Sequence, residues 1–329
     1  MSLLDAASRI AETVLAPAAA EVDATGVVPD SHFAALADAG LYGIATSDEA
    51  ASAAEVAELL VSGCRATGFV WAQHHGVLTA AAQDGRHELV AELAAGRTRA
   101  AVSYAGLALQ GRTLRITPDG DGYLLNGGSA MVTGWGLTDL LGAWAHDAER
   151  GEDLMVLVPR PHRTPGIDAT LLSLVAARAS RTVGLRWHGV RVGRDAIIGR
   201  RPADRPPSTE AIGTRLNGAL SLGTCRAALR QLDTVDDVAE QAAAGRRELD
   251  GIRAAMNAAM DDVDELYRLR GHAADLAVRL AAATVAATGS HAVLAGSDAE
   301  RLTREAVFCI VCATRPGIRA AVLERTLGV

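Results

Sequence analysis

The chain of 329 residues has few aromatic side chains and no strongly basic segment. Aromatic residues make up 3% of the sequence, and the formal net charge is −7 at pH 7. A nucleic-acid surface needs a basic stripe interleaved with aromatic residues, so this function class is not expected. Hydrophobic residues make up 49% and charged residues 22%, which predicts a large folded core rather than disorder.

Long apolar runs and targeting signals are also missing from the sequence. The most apolar stretch, residues 276–296, is interrupted by Arg279 and His291, which argues against a membrane span. The segment from Met1 to Asp5 has no basic region followed by an apolar core, so no export signal is expected. Together these absences favour a cytoplasmic protein.

The cysteines are too few, and too unevenly spaced, for a metal centre. Cys309 and Cys312 form a single Cys-x-x-Cys pair in an apolar helical run, and one pair cannot complete a tetrahedral zinc site. We therefore predict no metal. All four cysteines are interpreted as buried free thiols in a reducing compartment: Cys64, Cys225, Cys309 and Cys312.

Apolar periodicity divides the chain into three parts and a linker. Residues 1–98 have helical spacing with glycine near the helix ends, which predicts an N-terminal helical domain. Residues 99–199 contain short strands and hairpin signals such as Gly120-Asp121-Gly122, which predict a β-barrel. Residues 200–209 form a proline-containing linker, and residues 210–329 predict a C-terminal four-helix bundle. The predicted fold class is mostly α with a central β-barrel domain.

Five stretches in this order resemble the acyl-CoA dehydrogenase family, and the resemblance covers nearly the whole chain. They are residues 27–44 with the helix end Ala39-Gly40-Leu41, residues 120–134 with Tyr123 to Gly127 and Val132-Thr133-Gly134, residues 179–199, Leu222-Gly223 with Ala227, and Arg301 to Ala306. The resemblance implies an FAD-dependent α,β-desaturation of acyl-CoA or another acyl-thioester. In that reaction a carboxylate removes the α-proton and the flavin accepts the β-hydrogen as hydride.

The resemblance also implies which residues contact the flavin. Thr133, next to Val132, matches the threonine beside the reactive edge of the ring. Met131 stands where the family usually has a tryptophan that covers the ring, and Trp135 is either a partial replacement or a core residue. Ser103 begins a shortened form of a loop that contacts the flavin in the family. These five residues are the predicted cofactor contacts.

The same comparison leaves the chain without an identified catalytic residue. The family's usual glutamate falls on Ala313, and the nearest acid to the alternative position on the first bundle helix, Glu210, lies upstream of it. Losing a positioned general base typically costs about 10²- to 10⁴-fold in rate. Arg215 lies near the family's threonine-arginine pair beside the thioester, so we predict that it binds substrate. The sequence is thus similar to a short, divergent family member that lacks the catalytic glutamate.

Three functions remain open on this resemblance. The first is an acyl-CoA dehydrogenase that acts on its own, as a homo-oligomer. The second is a non-catalytic or half-site subunit that forms a hetero-oligomer with a related acyl-CoA dehydrogenase chain. The third is a flavin monooxygenase on the same fold, although the apolar run at residues 308–311 lacks the polar pocket that such enzymes usually carry.

Overall fold

A computed structural model describes residues 1–104, 111–204 and 208–328 of the chain. Two segments named in the sequence analysis lie partly outside these ranges. They are the shortened loop that begins at Ser103 and the linker at residues 200–209.

The N-terminal part is helical, as its apolar spacing predicts. Ser2 and Asp5 form a capping box that begins the first helix, and Gly26 ends the second in a left-handed conformation. The helices are α1 Leu3–Ile10, α2 Ala16–Thr25, α3 Asp30–Asp38, α4 Ala53–Gly63, α5 Arg65–Gln83 and α6 His87–Ala94, and a π-helical turn, Ala11–Leu15, joins α1 to α2. Their shared core contains Leu15, Leu36, Leu60 and Trp71.

The central part is an eight-stranded mixed sheet around one apolar core. The strands are β1 Ala100–Ser103, β2 Leu114–Asp119, β3 Gly122–Val132, β4 Leu140–Asp147, β5 Glu152–Pro159, β6 Ile167–Leu171, β7 Val183–Gly193 and β8 Ile197–Pro202. Their order is β6-β7-β3-β2-β4-β5-β8, and β1 pairs in parallel with β4. The core includes Leu125, Val156 and Trp187. Trp187 alternates with exposed residues along β7, whereas both faces of β5 are covered at Val156.

The C-terminal part contains five helices in the described residues, where the sequence predicted four. They are α7 Glu210–Leu232, α8 Ala239–Ala258, α9 Val263–Thr288, α10 Asp298–Val311 and α11 Pro316–Leu327. The extra helix, α11, begins at Pro316 in a position that suits proline and packs through Ile318 and Val322 onto the bundle core.

One helix, α9, meets the length and hydropathy that a membrane span requires. The segment from 263 to 293 reaches a mean hydropathy of 1.2, and 33% of its window is buried. Within the bundle α9 packs against α7, α10 and α11, and it carries the charged residues Arg270, Asp275 and Arg279. These contacts suit a bundle core helix.

Candidate functional site

A chain of three hydroxyl groups joins the end of β3 to the segment that precedes β7. The hydroxyl oxygen of Thr133 lies 3.0 Å from that of Thr182, which lies 3.0 Å from the hydroxyl oxygen of Ser180. The Gly134 amide donates to the Ser180 carbonyl oxygen at 2.9 Å. Thr133 is buried, so its side chain is fixed by protein partners at this junction.

The residues around Thr133 point in different directions. Val132 pairs with Val183 and lies in the apolar core of the sheet, so only its backbone could contact a ligand. Trp135 packs against the same core, and its carbonyl oxygen accepts a hydrogen bond from Arg181 Nε at 2.9 Å. Met131 is 54% exposed and has a left-handed backbone with φ of 57°. Of the four, Met131 is the one whose side chain is free to cover a ligand.

Ser103 lies on the same strand as Ala101, which is close to Gly134. A Cβ atom on Gly134 would lie 3.7 Å from the Ala101 Cβ. Ser103 is buried, and its hydroxyl has no hydrogen-bond partner within the described ranges. An unpartnered buried hydroxyl is costly unless a ligand or water satisfies it. Ser103 therefore fits a role in holding a polar group of a cofactor.

Arg215 is a residue of α7, and its contacts lead to α8 and α4. Its Nε donates to the Asn257 side-chain oxygen at 2.7 Å, and Asn257 in turn donates to Glu55 at 3.3 Å. Both terminal nitrogens of Arg215 are buried without a partner in the described part of the chain. Burial lowers the pKa of Arg215. The described contacts bring Arg215 close to α4 and α8 rather than to Thr133.

A set of exposed apolar side chains lies on β3, β6, the segment after β6 and α10. We call it the apolar seam, and it consists of Met131, Leu171, Val175, Val307 and Val311. Leu171 pairs with Val183, which pairs with Val132 beside Met131, so the first two members share one end of the sheet. The Val175 carbonyl oxygen accepts a hydrogen bond from Arg304 at 2.9 Å, which places Val175 against α10 near Val307. Exposed apolar side chains on neighbouring elements can mark a binding region.

Two phenylalanines close the inner side of the seam. Phe69 of α5 and Phe308 of α10 meet edge to face with ring centroids 5.5 Å apart. Behind them the Arg65 guanidinium lies 5.2 Å from the centre of the Phe308 ring, and Arg65 Nε is 3.5 Å from a Glu305 carboxylate oxygen. Arg65 is almost completely buried. The apolar surface therefore ends at a buried ion pair.

The backbone at residue 313 is firmly positioned although its side chain is a methyl group. Ala313 follows the end of α10 with φ of 50°, a left-handed conformation. Arg270 Nη2 donates to the Cys309 carbonyl oxygen at 2.9 Å and to that of Cys312 at 3.2 Å. A guanidinium at the C-terminal end of a helix satisfies its last carbonyl groups and the helix dipole. Arg270 thus holds the turn that carries Ala313.

The carboxylate of Glu210 is bonded to Arg315, which follows this turn. Its Oε1 accepts from the Tyr267 hydroxyl at 2.9 Å and from Arg315 Nε at 3.2 Å. Burial and the bond to Glu210 raise the pKa of Tyr267 to about 12. Glu210 is therefore paired with a cation two residues beyond Ala313.

Several of these residues could not be assigned from the sequence. Thr182 and Ser180 lie about fifty positions after Thr133, so their contact depends on the pairing of β3 with β7. Arg65 left a readable signal, because it is the one Asp, Glu, Lys or Arg residue in the 19-residue helix α5. Arg270 left no signal, since arginine is common on exposed helix faces.

Comparisons with known proteins agree on one fold. Residues 1–96 match the acyl-CoA dehydrogenase N-terminal domain. A search of curated protein sequences returned no significant match. Butyryl-CoA dehydrogenase from Megasphaera elsdenii is structurally similar with a TM-score of 0.82 and 16% identity, over 99% of this chain and 97% of that one.

Two further structures match at the same level. A glutaryl-coenzyme A dehydrogenase in complex with glutaryl-CoA has a TM-score of 0.84 and 15% identity, over 99% of this chain and 94% of that chain. A glutaryl-CoA dehydrogenase from Mycobacterium smegmatis in complex with FADH2 has a TM-score of 0.76 and 15% identity, with the same coverage. The resemblance inferred from the sequence is confirmed at the level of the fold: residues 1–96 match the acyl-CoA dehydrogenase N-terminal domain, and the whole chain has the acyl-CoA dehydrogenase fold.

Proposed function

We propose that the protein is an acyl-CoA dehydrogenase-type flavoprotein that binds FAD and an acyl-thioester between the sheet and the bundle. The apolar seam carries this proposal, because it leaves Met131 exposed close to Thr133 in the chain and leaves Val175 and Val307 exposed where Val175 meets α10. An isoalloxazine ring or an acyl chain would cover such a surface. When bound, FAD would accept the hydride from the β-carbon.

Each predicted contact residue has its own proposed role in binding. The unpartnered Ser103 hydroxyl and the backbone of residues 131–133 are proposed to hold FAD, and Met131 is proposed to cover it. Trp135 is proposed to fix the neighbouring turn through its bond to Arg181 rather than to cover the ring. Phe69 and Phe308 are proposed to keep water from the acyl group.

Arg215 is proposed to bind the thioester substrate at the edge of the site. Its two unpartnered terminal nitrogens are the donors that an oxygen-rich ligand would satisfy. This role requires the ligand to reach the corner between α4, α7 and α8, where Glu55 and Asn257 lie.

The half-site subunit is the second candidate, and Ala313 favours it. The turn at Ala313 is held by Arg270, yet no carboxylate extends from it, and Glu210 is occupied by Arg315 and Tyr267. A chain that keeps the fold without the base suits a role beside a catalytic partner, in a hetero-oligomer.

Reinstalling the carboxylate tests the proposal. Ala313→Glu should raise the rate at which an acyl-CoA bleaches bound flavin under anaerobic conditions by at least about 10²-fold, because it restores a positioned base. Ala313→Gln is the matched control, with nearly the same shape but no basic oxygen. The measurement is single-turnover flavin absorbance on protein reconstituted with FAD.

Three outcomes separate the candidates. Bleaching in the unmodified protein supports an independent dehydrogenase whose base lies elsewhere. Bleaching only in Ala313→Glu supports the half-site subunit. Protein that binds no flavin after reconstitution contradicts the FAD assignment in both forms.

A further inference from the structure

Two cysteines lie directly before Ala313 and have no part in the proposed function. Cys309 is in the last turn of α10, and Cys312 is the C-cap residue of that helix. Residues three positions apart on a helix have Cα atoms about 5 Å apart. That separation falls inside the span of roughly 4.4 to 6.8 Å that a disulfide bridges.

The sulfur atom of Cys309 has a cationic partner. Arg65 Nη2 lies 3.0 Å from it, and the Thr224 hydroxyl oxygen lies 3.4 Å from it. Arg65 is almost completely buried, and its Nε lies 3.5 Å from a Glu305 carboxylate oxygen, so the guanidinium is ion-paired as well as bonded to the sulfur atom. The sulfur atom of Cys309 is therefore held in place by a donor from α5.

The two thiols differ in access to solvent. Cys309 is fully buried, whereas Cys312 is partly exposed and packs against Phe308 at the inner end of the apolar seam. Burial raises the pKa of Cys312 to about 11, and the charges of Arg270 and Arg65 offset part of that rise. A partly exposed thiol three residues from a buried one can act as the attacking cysteine, with the buried thiol as the resolving cysteine.

We propose that Cys309 and Cys312 are a redox-active dithiol whose substrates are small linear disulfides. The Cys312 thiolate attacks one sulfur of the disulfide, the small S–S bond breaks, and one thiol leaves after taking up a proton. The Cys309 sulfur then attacks Cys312, and the second small thiol leaves. Two protein thiols are oxidised to one disulfide, and the small disulfide is reduced to two thiols.

Oxidation would change the turn that carries Ala313. In the disulfide, the Cys309 sulfur atom would be bonded to the Cys312 sulfur atom and would no longer carry a thiol hydrogen beside Arg65. The backbone between the two cysteines would also tighten against the Arg270 hydrogen bonds to their carbonyl oxygens. The thiol redox state is thereby coupled to the geometry of residue 313.

The test is oxidation of the full-length protein with glutathione disulfide, followed by alkylation and tryptic mapping. Trypsin releases residues 305–319 as one peptide, because the Arg315–Pro316 bond resists cleavage. We expect this peptide to lose two hydrogen atoms and to escape alkylation. Burial raises the pKa of Cys312 to about 11, so the rate should rise about tenfold per pH unit between pH 7 and 9.

Two single variants make the test decisive. In Cys309→Ser, a glutathione adduct should accumulate on Cys312, since no resolving thiol remains. In Cys312→Ser, the buried Cys309 should stay unmodified. Cys225, also fully buried, reports folding in each sample because it remains unlabelled in native protein. A stable adduct on Cys312 in the unmodified protein, or equal modification of the two variants, overturns the proposal.

Discussion

At the residue scale, the interior contains polar side chains whose partners are few. His74 and His75 are neighbours on α5 and are both buried, with rings 5.4 Å apart. The His74 Nδ1 accepts from the Ala100 amide at 3.1 Å, but neither ring nitrogen of His75 has a partner within the described ranges. Burial lowers the pKa of His74 to about 4, and that of His75 falls well below its usual value.

These histidines predict a loss of stability in acid. Above pH 6.5 both the folded and the unfolded chain hold neutral imidazoles, so the full stability is present. Below pH 6.5 the unfolded chain binds protons that folded His74 does not bind until about pH 4. The free energy of unfolding should therefore fall by about 1.4 kcal/mol per pH unit for each buried histidine in this window.

Denaturant unfolding between pH 7 and 4.5 measures this slope. His74→Gln keeps an acceptor for the Ala100 amide and should remove one histidine's share of it. His162→Gln, at an exposed position, is the control and should leave the slope unchanged. An unaltered slope in folded His74→Gln would mean that His74 already binds its proton near pH 6.5.

At the element scale, small residues set how closely helices approach. A Cβ atom on Gly223 of α7 would lie 2.7 Å from the Glu58 carbonyl oxygen and 2.8 Å from the Val61 Cβ on α4. This contact joins the bundle to the N-terminal domain. The small residue at position 223 therefore has a direct structural consequence, since a large side chain here would separate the two parts.

Gly223→Ala should destabilise the protein by about 1 to 3 kcal/mol, because backbone and Val61 must move to admit the methyl group. Gly251→Ala in α8 is the matched control, since nothing lies within 4 Å of its Cβ position. Alanine is the better helix former by about 1 kcal/mol, so the control should be stabilised. If urea unfolding shows a lower free energy of unfolding for Gly223→Ala and a higher one for Gly251→Ala, the close approach of α7 and α4 is confirmed. Changes of the same sign in the two variants would contradict it.

Regular periodicity determined which elements could be read from the sequence. Helix α9 lies within the predicted helical bundle, because apolar residues recur through it at helical spacing. Strand β6 was missed since four of its five residues are exposed and show no alternation. The last three residues of strand β8, Arg200, Arg201 and Pro202, fall in the predicted linker, whereas its first three fall in the predicted β-domain. Its inward contacts come from β5, which sequence pattern alone does not reveal.

Only the part of the candidate site that lies in one continuous segment of the chain could be predicted from the sequence. Thr133 and the residues around it follow from one contiguous segment of the chain. The apolar seam does not, because Val175, Val307 and Met131 are far apart in sequence and are individually unremarkable valine and methionine residues. Likewise, the burial of Arg65 depends on contacts with α7 and α10.

At the scale of the whole molecule, the cationic side chains are all arginines, since lysine is absent from the sequence. Arg304 shows that one arginine side chain can bond to several partners at once. Its guanidinium bonds Asp23 of α2 at 2.6 Å, the Val175 carbonyl oxygen at 2.9 Å and Glu300 on its own helix at 2.8 Å. Those acids raise its pKa. One planar group with five donors thereby joins all three parts of the chain.

Arg304→Lys should weaken the joint although the charge is kept, because an ammonium group cannot make these contacts in three directions. We expect a loss of about 1 to 3 kcal/mol and separate unfolding transitions by tryptophan fluorescence and by far-ultraviolet circular dichroism. Arg319→Lys, at an exposed position on α11, is the control. Coincident transitions with unchanged midpoints in Arg304→Lys would show that the three parts are joined by other contacts.

The methyl group of Ala313 has a consequence for isotopic labels. It has no atom that can accept or return a proton, so an acyl-thioester bound beside it in heavy water should keep its α-hydrogens. Exchange of those hydrogens for deuterium would require a base from another part of this chain or from a second subunit. Retention of the α-hydrogens would show that no proton acceptor lies beside the bound substrate. This measurement does not depend on reduction of the flavin.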